Sequence, residues 1–418
     1  MNLENGDPDE DLSRSAVVLT LPANEDTSVA SRETTRGQDL KITVFDSFDA
    51  VQSVWTEFEK QADGFAFQTF AWLKSWHEFV GAKSNLALCI ALIESADGAP
   101  VMLLPLAVER RAFVSCLVWL GGGVSDYRAP LLAKDFSSFM DRHRFRALWR
   151  EIRDRLPRHD AVILDSQPEL IGTQRNPLLA LAHTPHVTKA YFTELGPTLD
   201  AFLQAKRNTH WLRDERRKER RLREKGALVY RVANSAEDID RMLSEMMTQK
   251  SRSYHELGVR DLFSEPGHRE FFYHLSRRCL QDGFVHLSAL IVNGEMKATH
   301  WGLVYRDRFY CLLPSYARDE LTRYSPGNVL LRRMFEWSIA RGVKIFDFTI
   351  GDEPYKDGWC DQELKMFDCI KATHLLGWFY VVPLSLGRAA KRMVLRFPRL
   401  RAPAHNVRVW FFRWRWRR

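Results

Sequence analysis

The sequence predicts an α+β chain of two tandem halves, each a mixed, mainly antiparallel sheet flanked by helices. Three observations carry this. The 418 residues suit two domains of ordinary size. With 45% hydrophobic and 27% charged residues the composition is that of a folded globular chain. One order of strands and helices occurs twice along the sequence, the mark of an internal duplication.

In the first half, apolar periodicity places a strand over 41–45 and helices over 50–61 and 72–80. Apolar runs at 86–93 and 101–108 flank a turn with Asp97 and Gly98 and read as a hairpin. A strand over 114–120, a helix over 139–156 and a strand over 161–164 follow. The second half repeats the order, with a strand over 228–232 and helices over 236–250 and 266–281. A hairpin of 285–292 and 297–304 turns on Asn293 and Gly294; a strand over 309–313, a helix over 326–341 and a strand over 344–348 complete it. The tripeptide Ala-Leu-Ile precedes both hairpin turns, at 91–93 and 289–291.

These elements divide the chain into a first half over 40–197 and a second over 227–386. Residues 1–39 hold no aromatic residue and are rich in acidic and hydroxyl side chains, the composition of a disordered tail. Residues 198–226 read as one highly charged helix, either a solvated connector or a face for an anionic substrate. Residues 387–418 form a basic aromatic tail. The net charge of +8 belongs to that tail, since 388–418 carry eleven Lys and Arg and no acidic residue, leaving about −3 elsewhere. A local anionic partner follows, and a nucleic-acid-binding body does not. Cations interleaved with Trp410, Phe411, Phe412, Trp414 and Trp416 suit a membrane surface, with docking on a partner protein and binding of a nucleic-acid strand as the alternatives.

The sequence opens without a secretory signal, and no apolar run reaches the roughly 18 residues that span a bilayer, so a cytoplasmic location is expected. The six cysteines form no CxxC pair, which predicts buried reduced thiols and no metal site.

Four stretches could carry chemistry. Ser325-Pro326-Gly327-Asn328 precedes an apolar helix: serine suits the N-cap and proline the first turn, and glycine lets an anion approach the free N–H groups. At 346–359, Asp347 alternates with Phe346 and Phe348, so its carboxylate points away from the aromatic face. Gly351 and Pro354 then open a loop that presents Asp352, Tyr355 and Lys356. There an ammonium or phenol could stabilise an oxyanion, or the two could be a solvated lysine and a packed ring. His300, beside Trp301, is either a general base or a satisfied core histidine. After the glycines at 121–123, Asp126 and Tyr127 are acceptor-binding groups or turn residues.

Together these residues resemble the CelD-like, cellulose-biosynthesis-associated branch of the GNAT (Gcn5-related N-acetyltransferase) enzymes, which is related in architecture to the FemAB peptidyltransferases. The resemblance rests on Phe67-Gln68 with Trp72 and Trp76, the loop 120–127, the basic run 213–226, Ser325-Pro326-Gly327, and Phe346-Asp347-Phe348 with Gly351 and Tyr355-Lys356. It covers roughly 41–382. It implies tandem GNAT-like halves and transfer from acetyl-CoA or another acyl-CoA to a small amine or saccharide acceptor, in exopolysaccharide or cell-envelope biosynthesis. The donor phosphates then belong near Ser325, Gly327 and Asn328, with Tyr355 and Lys356 at the reacting centre. His300, Asp352 or Asp126 is the base, and Asp126, Tyr127 and Asp347 meet the acceptor. Pro326 and Asn328 depart from the family's phosphate-loop pattern, so aminoacyl-tRNA stays open as the donor. A non-catalytic accessory subunit of a polysaccharide synthase is the other alternative. The first half lacks a matching glycine turn, so one donor site is expected.

Overall fold

Strand β1 (Lys41–Phe45) leads into helices α1 (Phe48–Gln61) and α2 (Phe70–Phe79), whose starts are capped by Ser47, accepting from the Ala50 amide, and Thr69, accepting from that of Trp72. The structure, a computed structural model, describes residues 39–351, Glu353, Lys356 and 358–396. Expectations for residues 1–38 and 397–418, and for Asp352 and Tyr355, lie outside the described residues.

The first predicted hairpin forms, but each of its strands is broken. Its pieces are β2 (Leu86–Leu88), β3 (Ile90–Glu94), β4 (Pro100–Leu104) and β5 (Leu106–Arg111). Pro105 has no N–H for a continuous ladder, and the Cys89 amide donates to the Leu106 carbonyl at 3.0 Å where the chain changes sheets. Strands β6 (Val114–Trp119) and β7 (Leu131–Leu132), helices α3 (Phe136–Phe139) and α4 (Arg142–Arg155), and β8 (Ala161–Pro168) follow. After the short strands β9 (Leu170–Ile171), β10 (Gln174–Arg175) and β11 (Thr184–Pro185), β12 (Ala190–Glu194) ends the half.

The charged connector is two helices, α5 (Leu199–Lys206) and α6 (Thr209–Arg223), where one was expected. Asn208 breaks them by capping α6, accepting from the Trp211 amide at 2.8 Å. The Arg207 guanidinium packs between the rings of Trp211 and Trp359, 4.7 and 4.2 Å from their centroids. The second half holds β13 (Leu228–Val232), α7 (Ala236–Leu257), α8 (His268–Arg278), β14 (Val285–Val292), β15 (Glu295–Tyr305), β16 (Arg308–Tyr316), α9 (Pro326–Ala340), β17 (Ile345–Ile350), β18 (Gln362–Leu364) and β19 (Met366–Ala372). Asn293 at φ 50° and Gly294 at φ 84° make the predicted β14–β15 turn. Last comes α10 (Leu375–Arg396), which runs through position 387, where the tail was expected to begin.

Among the described residues there are three sheets beyond the small β9–β10 pair, ordered β1-β3-β4-β7, β11-β19-β8-β6-β5-β2 and β13-β14-β15-β16-β17-β12-β18. The last two exchange strands. From the first half, β12 lies between β17 and β18, antiparallel to both. From the far end of the chain, β19 pairs with β8 of the first half. Each half therefore completes the other's sheet. Aromatic packing joins them as well: the Trp72 ring centroid lies 5.1 Å from that of Phe271 and 6.2 Å from that of Trp301.

Candidate active site

Strands β16 and β17 run parallel but pair only where Arg308, Phe309 and Tyr310 face Ile345, Phe346 and Asp347. Beyond that point they part. Leu312 is the extra residue of a register shift against β15, a bulge that bends the strand away. The gap opens into a cavity of about 610 Å³, walled by residues 311–316 on one side and 348–350 on the other. Gly327 and Asn328, in the first turn of α9, close one end of it. From the first half, Trp72, Gly123 and Asp126 form the facing wall, so the cavity lies between the halves.

The start of α9 corrects one expectation. Ser325 does not cap the helix with its side chain; it is held in the left-handed region at φ 51° as the turn Glu320–Tyr324 runs directly into α9. Pro326 takes the first turn, as its fixed φ favours. A Cβ built on Gly327 would meet only the Tyr316 ring, at 3.9 Å, so the backbone there opens towards the cavity. Helix N-termini of this kind favour anions.

Asp126 is half-buried on the cavity wall. Burial raises its carboxyl to about 6, with the Thr349 hydroxyl bond and Lys356 working against burial and the Asp347 charge working with it. Thr349 sits at φ 57°, an uncommon conformation for a β-branched residue, on the opposite wall.

Lys356 lines the cavity and is buried. Its Nζ is 2.8 Å from Glu353 Oε2 and donates to the carbonyls of Ile350 and Gly351 at 3.2 Å. Of these partners Glu353 is the most exposed, at 54%. Lys250 also lines the cavity and donates from Nζ to the Pro314 carbonyl at 3.1 Å. Burial lowers its pKa. Sequence reasoning missed Lys250, although a signal was present: it lies four residues after Met246 on the buried face of an amphipathic helix.

The other predicted residues lie elsewhere. Tyr127 and Asp347 are fully buried and bonded to each other, the hydroxyl donating to Asp347 Oδ1 at 2.7 Å. Arg308 donates to Asp347 Oδ2 at 2.7 Å, and the Thr349 amide to Oδ1 at 2.7 Å. The pair joins the halves, and neither residue lines the cavity. His300 is also fully buried and off the cavity, with its Nδ1 3.4 Å from that of His286 and its ring stacked on Phe309. Burial holds its pKa well below the usual histidine value, with His286 and Lys250 adding to the shift.

Residues 210–357 match the family described as an acetyltransferase (GNAT) domain. No curated protein matches the chain. Among solved structures the chain is similar to FemX at 12% identity with a TM-score of 0.54, over 79% of this chain and 97% of that one. It is also similar to a tandem GNAT protein from the clavulanic acid biosynthesis pathway at 12% identity with a TM-score of 0.45, over 80% and 98% of the two chains. Over residues 210–357 the chain is thus similar to GNAT acetyltransferase domains, and its mixed α/β fold is of the kind seen in FemX.

Proposed function

We propose that the protein transfers an acyl group, acetyl first among candidates, from coenzyme A to the amine or hydroxyl of a small acceptor such as an amino sugar. One observation carries this reading: a single cavity is lined by Asp126 from the first half and by Gly327, Asn328 and Lys356 from the second. The phosphates of the donor rest on the first turn of α9, and its thioester arm lies in the gap between β16 and β17. The acceptor enters from the side of the first half.

Asp126 takes the proton of the attacking amine or hydroxyl; a carboxyl near 6 is mostly ionised at neutral pH and still basic enough to accept it. The new bond to the carbonyl carbon forms, the carbon–sulfur bond breaks, and the proton passes to the departing thiolate. Lys356 meets the oxyanion by giving up its most exposed partner, Glu353. Ser325 contributes the bend that turns the amides of α9 into the cavity. By the CelD-like resemblance and the sequence reading, Tyr355 joins Lys356 in meeting the oxyanion and Asp352 is the alternative base, both outside the described residues. So does the setting in exopolysaccharide or cell-envelope biosynthesis that the CelD-like resemblance implies.

The test is release of free coenzyme A thiol from acetyl-CoA with a panel of amino sugars, polyamines and saccharides, beside calorimetry with coenzyme A alone. Acceptor-dependent release supports the proposal. Binding without turnover on any acceptor favours the accessory-subunit reading, and absence of binding favours a donor other than coenzyme A.

A further inference from the structure

Helix α10 shows two opposite faces. Its inner face is pinned to the six-stranded sheet. Gly377 packs so closely that a Cβ there would lie 1.9 Å from the Asp160 carbonyl. Arg111 donates to the Tyr380 hydroxyl at 3.4 Å, and Val381 is buried. Arg388 bridges Asp165, at 2.6 Å, and Asp368. Burial alone would raise the Asp165 carboxyl, but Arg128 and Arg388 hold it down at about 2. Arg392 donates to the Pro185 carbonyl at 3.0 Å. This helix is fixed in place.

Its outer face is apolar, and no described residue covers it. Leu375, Phe379, Val382, Leu386 and Met393 follow at helical spacing and are 83, 72, 41, 65 and 60% exposed, with Trp378 beside them at 58%. A second element adds to this: Phe113, 61% exposed, caps the β5–β6 hairpin whose Arg111 reaches Tyr380. Apolar surface of this extent on a folded chain marks a docking site. Charge indicates the occupant. From Leu375 to Arg418 the sequence holds eleven Lys and Arg and no Asp or Glu. Arg388 is neutralised by Asp165 and Asp368, but the other ten, three on the helix and seven after it, give helix and tail the same sign, so both complement an anionic surface better than they complement each other. Trp and Phe beside cations suit the headgroup layer of a bilayer, where rings bury and charges stay wet. No described helix is long and apolar enough to cross a membrane, and the outward stripe lies along one face only.

We propose that the outer face of α10, together with Phe113, docks the protein on an anionic lipid bilayer, with the helix lying flat in the headgroup layer. This moves the expected membrane contact from residues 388–418 alone to a surface that begins at Leu375. It does not depend on acyl transfer, so either proposal can fail without the other.

The test is flotation of the full chain with phosphatidylcholine vesicles, with and without phosphatidylglycerol, for the wild type and for a Trp378→Ser, Phe379→Ser, Leu386→Ser variant. All three positions are exposed and none lines the cavity, so thermal stability and coenzyme A binding serve as controls for folding. The wild type should partition onto the anionic vesicles and much less onto neutral ones, and the variant should lose at least about tenfold in partitioning. Equal partitioning of variant and wild type would overturn the proposal by assigning attachment to other residues. So would a wild type that ignores both vesicles, including one that sediments as a dimer while the variant sediments as a monomer.

Discussion

The hydroxyl of Tyr127 and the carboxylate of Asp347 meet at 2.7 Å across the junction of the two halves, and Arg308 occupies the carboxylate's other oxygen. A buried charge-assisted hydrogen bond of this kind contributes about 1.5–3 kcal/mol. Tyr127→Phe should therefore lower the unfolding free energy by about that amount, read by urea denaturation. Asp347→Ala strands a buried arginine and should cost about 3–5 kcal/mol. A direct role in acceptor binding would instead raise KM while leaving stability unchanged.

The exchange of β12 and β19 makes the halves interdependent. Residues 40–197 expressed alone lack β19 beside β8, and residues 227–386 alone lack β12 between β17 and β18. Neither segment should show a cooperative thermal transition by circular dichroism, and mixing or co-expressing them should restore it. A cooperative transition in either isolated segment would show that the exchanged strand is dispensable.

Much of this was legible in the sequence, and the losses have physical causes. Hairpins and helices were readable because their periods are local, as at Asn293-Gly294 and along α9. The exchanged strands were not, because their pairing partners lie far away along the chain, β12 on β17 and β18 and β19 on β8. Alternation correctly turned Asp347 away from Phe346 and Phe348, yet its partner Tyr127 lies 220 residues away, a relation no local pattern records. Ser325 before a proline reads as a cap; its left-handed conformation arises from the preceding turn. The glycine loop and Asp126 could be flagged from the sequence, but the proximity of Asp126 to Thr349 and Lys356 came only from the fold.

Asp126 gives the reaction a pH signature. As a base with a carboxyl near 6, it is ionised and competent above that pH and is lost as pH falls through it. The rate should thus decline on the acid side with an apparent pKa of about 6. Asp126→Asn should lower kcat by about 10²–10⁴-fold and abolish this limb. A wild-type acid limb in the variant would assign the base elsewhere.

Lys356 should serve the transition state more than the ground state. Lys356→Ala should lower kcat by about a hundredfold, the loss of one oxyanion donor, with little change in coenzyme A affinity. Lys356→Arg, which keeps the charge, should recover part of the rate. A folded alanine variant with wild-type turnover would confine Lys356 to its bonds with Glu353, Ile350 and Gly351.

The donor site at the start of α9 is the centre of the account, and calorimetric titration of coenzyme A into wild type and Gly327→Asp tests it most directly. The substitution enters open space against Tyr316 at 3.9 Å, so the fold should be kept while a carboxylate faces the phosphates. The account predicts that affinity falls at least tenfold, about 1.4 kcal/mol, with an unchanged thermal midpoint. Equal affinity in the two proteins would contradict it.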